Sequence, residues 1–128
     1  MNKRILFINN YTATSTVPEY IARAGYRVDI VLNSEAASRE LETRNYDLII
    51  LLENPYAASW VVCEKIRQLT SIPLIVISSN ASTETCVKAI NAGADYFIRK
   101  PFGSLELLAR MNSLLQRVPY YQPIPLVS

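Results

Sequence analysis

The chain has 128 residues, half of them apolar and 19% charged, with a net charge of +2 and no histidine. That length builds one domain with a real core, and the composition excludes a disordered chain. So small a positive excess argues against a surface for nucleic acid or anionic lipid, and the missing histidine removes the usual acid–base residue and the commonest transition-metal ligand.

Ile5-Leu6-Phe7-Ile8 is a short apolar run, the pattern of a strand buried on both faces, and it ends in two amides, Asn9 and Asn10. Thr16 and Glu19 have capping-box spacing with Pro18 in the first turn, which predicts a helix running to Ala24 and closed by Gly25. Residues 26–32 alternate and read as a second strand nearer an edge. Asn33 or Ser34 caps a second helix that ends near Thr43. Leu48-Ile49-Ile50-Leu51-Leu52 is a third, fully apolar strand, followed by a turn at Glu53-Asn54-Pro55. A third helix is expected from about Ala58 to Gln68, with Val62, Ile66 and Leu69 inward. Leu74–Ile77 is the fourth strand and ends in Ser78-Ser79. A fourth helix spans roughly Thr83 to Ala92 and stops at Gly93. Residues 96–98 form a short fifth strand with Lys100-Pro101-Phe102 at its carboxyl end, and Ser104 caps a last helix over about 105–117.

Strand and helix alternate throughout. Short βα units with right-handed crossovers give a doubly wound, five-stranded parallel sheet of order 2-1-3-4-5 with helices on both faces, a flavodoxin-like three-layer sandwich. Residues 1–117 make this domain. Residues 118–128 carry three prolines among apolar residues, including Tyr120, Tyr121, Ile124, Leu126 and Val127, and form a strap on the domain, a partner contact or the start of a linker. Cys63 and Cys86 lie in no CxxC pair and read as reduced, buried thiols. No apolar run reaches the roughly 20 residues of a membrane span. Asn9 and Asn10 break the first apolar run too early for a signal peptide, so the expected compartment is the cytoplasm.

In such a sheet the functional crevice lies at the carboxyl ends of the strands. Asn9, Asn10, Leu52, Glu53, Ser78, Ser79 and Lys100 are delivered there. The Gly93-Ala94-Asp95-Tyr96, Lys100-Pro101-Phe102 and Glu106-Leu107-Leu108-Ala109-Arg110 pieces, in register with Ile72–Ser79 and the opening strand, resemble response regulator receiver (CheY-like) domains over about residues 3–117. The resemblance implies a two-component signalling module. It places that family's two Mg²⁺-holding acids on Asn9 and Asn10, its phosphate-accepting aspartate on Leu52, its phosphate-sensing hydroxyl on Ser78, its lysine on Lys100 and its switch aromatic on Phe97. Counting back four from Pro55 instead puts the acceptor on Leu51, again a leucine.

Leucine has no lone pair for nucleophilic attack, and two neutral amides do not supply the charge that holds a hard cation. The resemblance therefore implies an atypical pseudo-receiver that is not an enzyme, holds no cofactor or metal, and works by protein–protein contact with a histidine kinase, a regulator, an output domain or a second copy of itself. Glu53 is either a partner for Lys100 or a solvated loop residue. Asn9 and Asn10 cap a loop or line a residual polar crevice; Ser78 caps the fourth helix or bonds Lys100. Trp60 is a half-buried packing residue or a partner contact. The resemblance also marks a face on the fourth helix, fifth strand and fifth helix as the interface: Lys88, Asn91, Asp95, Arg99, Glu106 and Arg110, with charges balanced as self-association requires. Two alternatives stand beside this reading. One is a flavodoxin-like domain binding FMN or another small ligand through the hydroxyls of residues 11–16. The other is the regulatory domain of a longer DNA-binding response regulator, with no nucleic acid bound by this domain itself.

Overall fold

Strands and helices alternate along the whole described chain in the computed structural model, which describes residues 3–10, 15–53, 59–79 and 82–117. The elements are β1 (Arg4–Asn9), α1 (Val17–Arg23), β2 (Arg27–Val31), α2 (Ser34–Thr43), β3 (Leu48–Leu52), α3 (Ser59–Leu69), β4 (Leu74–Ser78), α4 (Thr83–Asn91), β5 (Tyr96–Arg99) and α5 (Ser104–Arg117). The strands form one parallel sheet in the order β2-β1-β3-β4-β5, the expected doubly wound topology.

The pleat sorts each apolar run onto two faces. Ile5, Phe7, Leu48, Ile50, Leu52, Ile75, Ile77 and Ile98 face one way and pack under Val17 and Ile21 of α1 and Leu107, Met111, Leu114 and Leu115 of α5. Leu6, Ile8, Ile49, Leu51, Leu74 and Val76 face the other way, beneath Ala37 of α2, Cys63 and Ile66 of α3 and Ala89 of α4. Each fully buried aliphatic side chain contributes on the order of 1.5–3 kcal/mol, and β3 and β4 are buried at every position. β2 lies at an edge and is only partly covered; Ile30 there and Leu32 just beyond it are 55% and 69% exposed.

Several local expectations are corrected. The Thr16 side chain caps nothing; the Val17 N–H is taken by the Ser15 hydroxyl at 3.1 Å, so the stretch works as a turn rather than a capping box. Leu69 is 48% exposed, and Cys63 holds the inner position on α3, because the buried stripe is set by Cys63 and Ile66 rather than continued to the last turn. Cys86 is only half-buried; Cys63 is fully buried, and loss of solvent pushes its thiol up to about 12. At α5 the Gly103 carbonyl accepts from the N–H groups of Glu106 and Leu107, so Gly103 stands at the cap and Ser104 is already in the helix. Asn33, in contrast, caps α2 as read, accepting from the Ala36 N–H at 2.8 Å. Ala58, the turn residues Asn54 and Pro55, and the tail from Val118 lie outside the described residues.

Two polar clusters tie helices to the amino edge of the sheet. Arg67 of α3 donates from Nε to the Gly93 carbonyl at 2.8 Å, from Nη1 to the Ile72 carbonyl, and from Nη2 to Asp95 Oδ2 at 2.9 Å. Asp95 also accepts from the Leu74 N–H at 2.8 Å, where β4 begins. Gly93 has a φ of +119°, and a Cβ there would sit 2.4 Å from Arg67 Cγ; only glycine satisfies both demands. On the other side, Arg4 and Asp29 pair at 2.9 Å, and the Tyr46 hydroxyl donates to Asp29 Oδ2 at 2.7 Å with Glu40 Oε1 3.0 Å from the same hydroxyl. The Tyr46 bond, joined by Arg4 and opposed by partial desolvation, holds the Asp29 carboxyl below its ordinary 3.8.

Replacing Arg67 with Met takes the donor from the Gly93 and Ile72 carbonyls and the cation from Asp95, which keeps its bond from the Leu74 N–H, and urea unfolding is expected to show a loss of about 2–4 kcal/mol. The Asp29 contribution has a fixed sign: a depressed carboxyl stabilises fully above its unfolded value of 3.8 and loses that contribution as pH falls through the folded value. Tyr46→Phe should therefore lower the urea midpoint near neutral pH, with the gap to wild type closing below about pH 4. A gap that stays constant into strong acid would remove Asp29 from the account.

Candidate functional site

The carboxyl edge of the sheet is built by backbone bonds that continue the ladder one residue past the strands. Asn10 N–H donates to the Leu52 carbonyl at 3.0 Å, Glu53 N–H to the Ile77 carbonyl at 2.8 Å, and Lys100 N–H to the Ser78 carbonyl at 2.9 Å. In register, Asn9 lies opposite Leu52, Leu52 opposite Ile77, and Ser78 opposite Arg99. The sequence-predicted set of Asn9, Asn10, Leu52, Glu53, Ser78 and Lys100 is thus brought to one edge.

Their environments differ sharply. Leu52 is 1% exposed and belongs to the core beneath α1 and α5. Glu53 and Ser78 are 2% and 0% exposed, Asn9 and Asn10 are half-buried, and Lys100 is exposed. Ser78 does not cap α4. That position belongs to Ser82, whose hydroxyl accepts from the Thr85 N–H at 3.3 Å. Ser78 meets Lys100 through its own carbonyl. Lys100–Pro101 is a cis peptide.

Phe97 is half-buried against the core under α2–α4, with the Arg99 guanidinium 5.6 Å from its ring centre. Trp60 is half-buried, and Lys88 of α4 stacks on it at 4.7 Å while pairing with Glu84 at 3.0 Å. Of the remaining candidate interface residues, Arg110 lies 4.7 Å from the Tyr96 ring, and Asn91 and Glu106 are exposed. Asp95 is committed to Arg67 and Leu74 within the domain. The same face exposes Val87, Ile90 and Leu105 at 50%, 40% and 79%, apolar positions that sequence reading passed over.

Sequence reading also missed a cleft of about 770 Å³ beside this edge, lined by Ser15, Thr16, Val17, Tyr20, Ser79, Lys100, Pro101, Phe102 and Ser104. Its only sequence signal is the run of hydroxyls before α1. The part of that run at residues 11–14 lies outside the described residues.

A family model described as the response regulator receiver domain matches residues 9–112. The chain belongs to the response regulator receiver family. The response regulator ArlR of Staphylococcus haemolyticus is 39% identical over 95 residues, covering 73% of this chain and 43% of that protein. The transcriptional activator protein IrlR of Burkholderia pseudomallei is 33% identical over 116 residues, covering 89% of this chain and 51% of that one. The chain thus spans about half the length of these curated relatives. Among solved structures, a CheY-like receiver domain protein from Methanospirillum hungatei superposes with a TM-score of 0.79 at 27% identity, covering 91% of this chain and 96% of that one.

Receiver domains are signalling modules rather than enzymes, and this receiver keeps the family's sheet, strand order and edge. No helix among the described residues is long and apolar enough to cross a membrane. Where β3 ends at this edge, the aliphatic side chain of Leu52 completes the core. Truncating it as Leu52→Ala removes that packing, and urea unfolding should register a loss of about 2–5 kcal/mol. A loss well under 1 kcal/mol would mean that Leu52 is not packed as described.

Proposed function

We propose that this receiver domain signals without aspartyl phosphorylation, through contact with another signalling protein or with a second copy of itself. The observation that carries the reading is Leu52, an apolar side chain 1% exposed at the carboxyl end of β3, in the register the family resemblance gives to the phosphate acceptor. A leucine cannot attack phosphorus. The neighbouring donor set does not fit Mg²⁺ either: Asn9 and Asn10 are neutral amides, and the described residues contain no group of three Asp, Glu, Cys or His able to hold a metal. Glu53 is buried beside Leu52, and a carboxylate held there next to Lys100 would stand in for a phosphoryl group and favour one conformation.

The contact surface is the α4–β5–α5 face, with Lys88, Asn91, Arg99, Glu106 and Arg110 around Val87, Ile90 and Leu105. Apolar residues ringed by both signs of charge suit a protein partner better than a polyanion. A second reading takes this receiver as the regulatory half of a longer DNA-binding regulator. It is favoured by the chain covering only 43% and 51% of its curated relatives, one of them a transcriptional activator.

Incubation with acetyl phosphate and Mg²⁺, followed by intact mass measurement, should leave the protein unmodified. A phosphoryl adduct that is stable in acid-quenched samples and maps to an acidic side chain at the sheet edge would overturn the proposal.

A further inference from the structure

β2 ends the sheet and has a strand neighbour on one side only. It carries no proline or glycine, and its register against β1 is unbroken from Arg27 to Val31. Those are the devices that usually blunt an edge strand, and without them the edge is a template for another strand. Its outward groups follow from the ladder. Arg27 N–H donates to the Lys3 carbonyl at 2.9 Å, and bonding alternates along a strand, so Arg27, Asp29 and Val31 turn their amides toward β1 while Val28 and Ile30 turn theirs away from the sheet. Among the described residues nothing bonds the Val28 or Ile30 N–H.

The side chains of this edge complement one another. Tyr26, Val28 and Ile30 share the α1 side of the strand, and Ile30 is 55% exposed there. Arg27 and Asp29 share the other side. Arg27 is exposed, and among the described residues no acid pairs with it. Asp29 accepts from Arg4 and Tyr46 on Oδ2 alone, and its side chain is 34% exposed, so Oδ1 is open to a further donor.

An antiparallel pair of identical edges closes under a two-fold axis, and the charges choose its register. Centring the pair on Asp29 sets two carboxylates directly opposite each other, which is destabilising. Centring it on Ile30 sets Asp29 against the partner's Val31 and Arg27 against the partner's Asn33. Centring it on Val28 sets Arg27 opposite the partner's Asp29 on both sides of the axis and Ile30 opposite the partner's Tyr26, an apolar cross-strand pair. In that register the two Val28 residues exchange both of their backbone bonds, and Ile30 N–H donates to the partner's Tyr26 carbonyl.

We propose that two copies of this chain associate edge to edge through β2, antiparallel and centred on Val28, joining their sheets into one. This contact is separate from the α4–β5–α5 face, so its failure and the failure of the reading above are different results. A single strand pair lies at the small end of interface sizes, and a dissociation constant on the order of 10–100 μM is expected.

The test is sedimentation velocity of the full chain from about 5 to 500 μM, with hydrogen exchange of backbone amides at both ends of that range. A reversible monomer–dimer equilibrium is expected, with the Val28 and Ile30 amides protected only at high concentration. Arg27→Glu sets like charges opposite each other and should weaken the dimer at least about tenfold, whereas Arg27→Lys should stay within about threefold of wild type. Ile30→Pro removes an N–H that β1 does not use, so it should leave a folded monomer that does not pair. Leu105→Glu, on the α4–β5–α5 face, should leave the dimer unchanged. A monomer across the whole range, a dimer that survives Arg27→Glu, a dimer lost in Leu105→Glu, or Val28 and Ile30 amides whose protection does not change with concentration would each overturn the proposal.

Discussion

The parallel backbone ladder across β1, β3 and β4 is the constraint on which the rest depends. A strand buried on both faces has no water to satisfy its N–H and C=O groups, so each must find its partner in a neighbouring strand. That requirement fixes register, and register fixes which residues reach the carboxyl edge. The ladder overshoots the strands through the amides of Asn10, Glu53 and Lys100, and so the first residues of three loops are positioned as firmly as the strands themselves. These loop residues have their backbone amides satisfied by the ladder itself.

The same scaffold can support quite different chemistry, because the sheet specifies positions and not the groups that occupy them. On the proposed reading, a core-forming leucine and two amides stand where a phosphate-handling site needs charge. Their effect is energetic as well as chemical. An aspartate at the end of β3 must be kept solvated or paired, whereas Leu52 adds its area to the core under α1 and α5. On that same proposed reading, a domain relieved of that requirement gains stability at the edge and gives up a covalent input.

Much of this was legible in the residues. The apolar runs at 48–52 and 74–77 read as buried strands and the alternating run at 26–32 as one nearer an edge, and a doubly wound sheet of order 2-1-3-4-5 fits that count and is the order found. Motif spacing then brought Asn9, Leu52, Ser78 and Lys100 together. What remained hidden shares a physical cause: it depends on contacts between side chains and backbone far away in sequence. Arg67 looks like a surface cation on α3, yet its main partners are carbonyls of two other segments. Asp95 looks like an exposed charge, yet it also braces the start of β4. The capping box at Thr16 fits the pattern and fails because the Ser15 hydroxyl reaches the helix first. The cleft is invisible for the same reason, since its walls come from α1, the end of β4 and the β5–α5 connection.

The guanidinium of Arg67 joins α3 to the turn before β5, to the approach to β4 and, through Asp95, to the first amide of β4. These segments are therefore linked by one planar group with almost no slack, and the glycine beneath it leaves no room for another arrangement. Fraying of the β5 margin must break these bonds or undock α3, so this margin and α3 are expected to exchange their amide protons as one cooperative block rather than peeling away strand by strand.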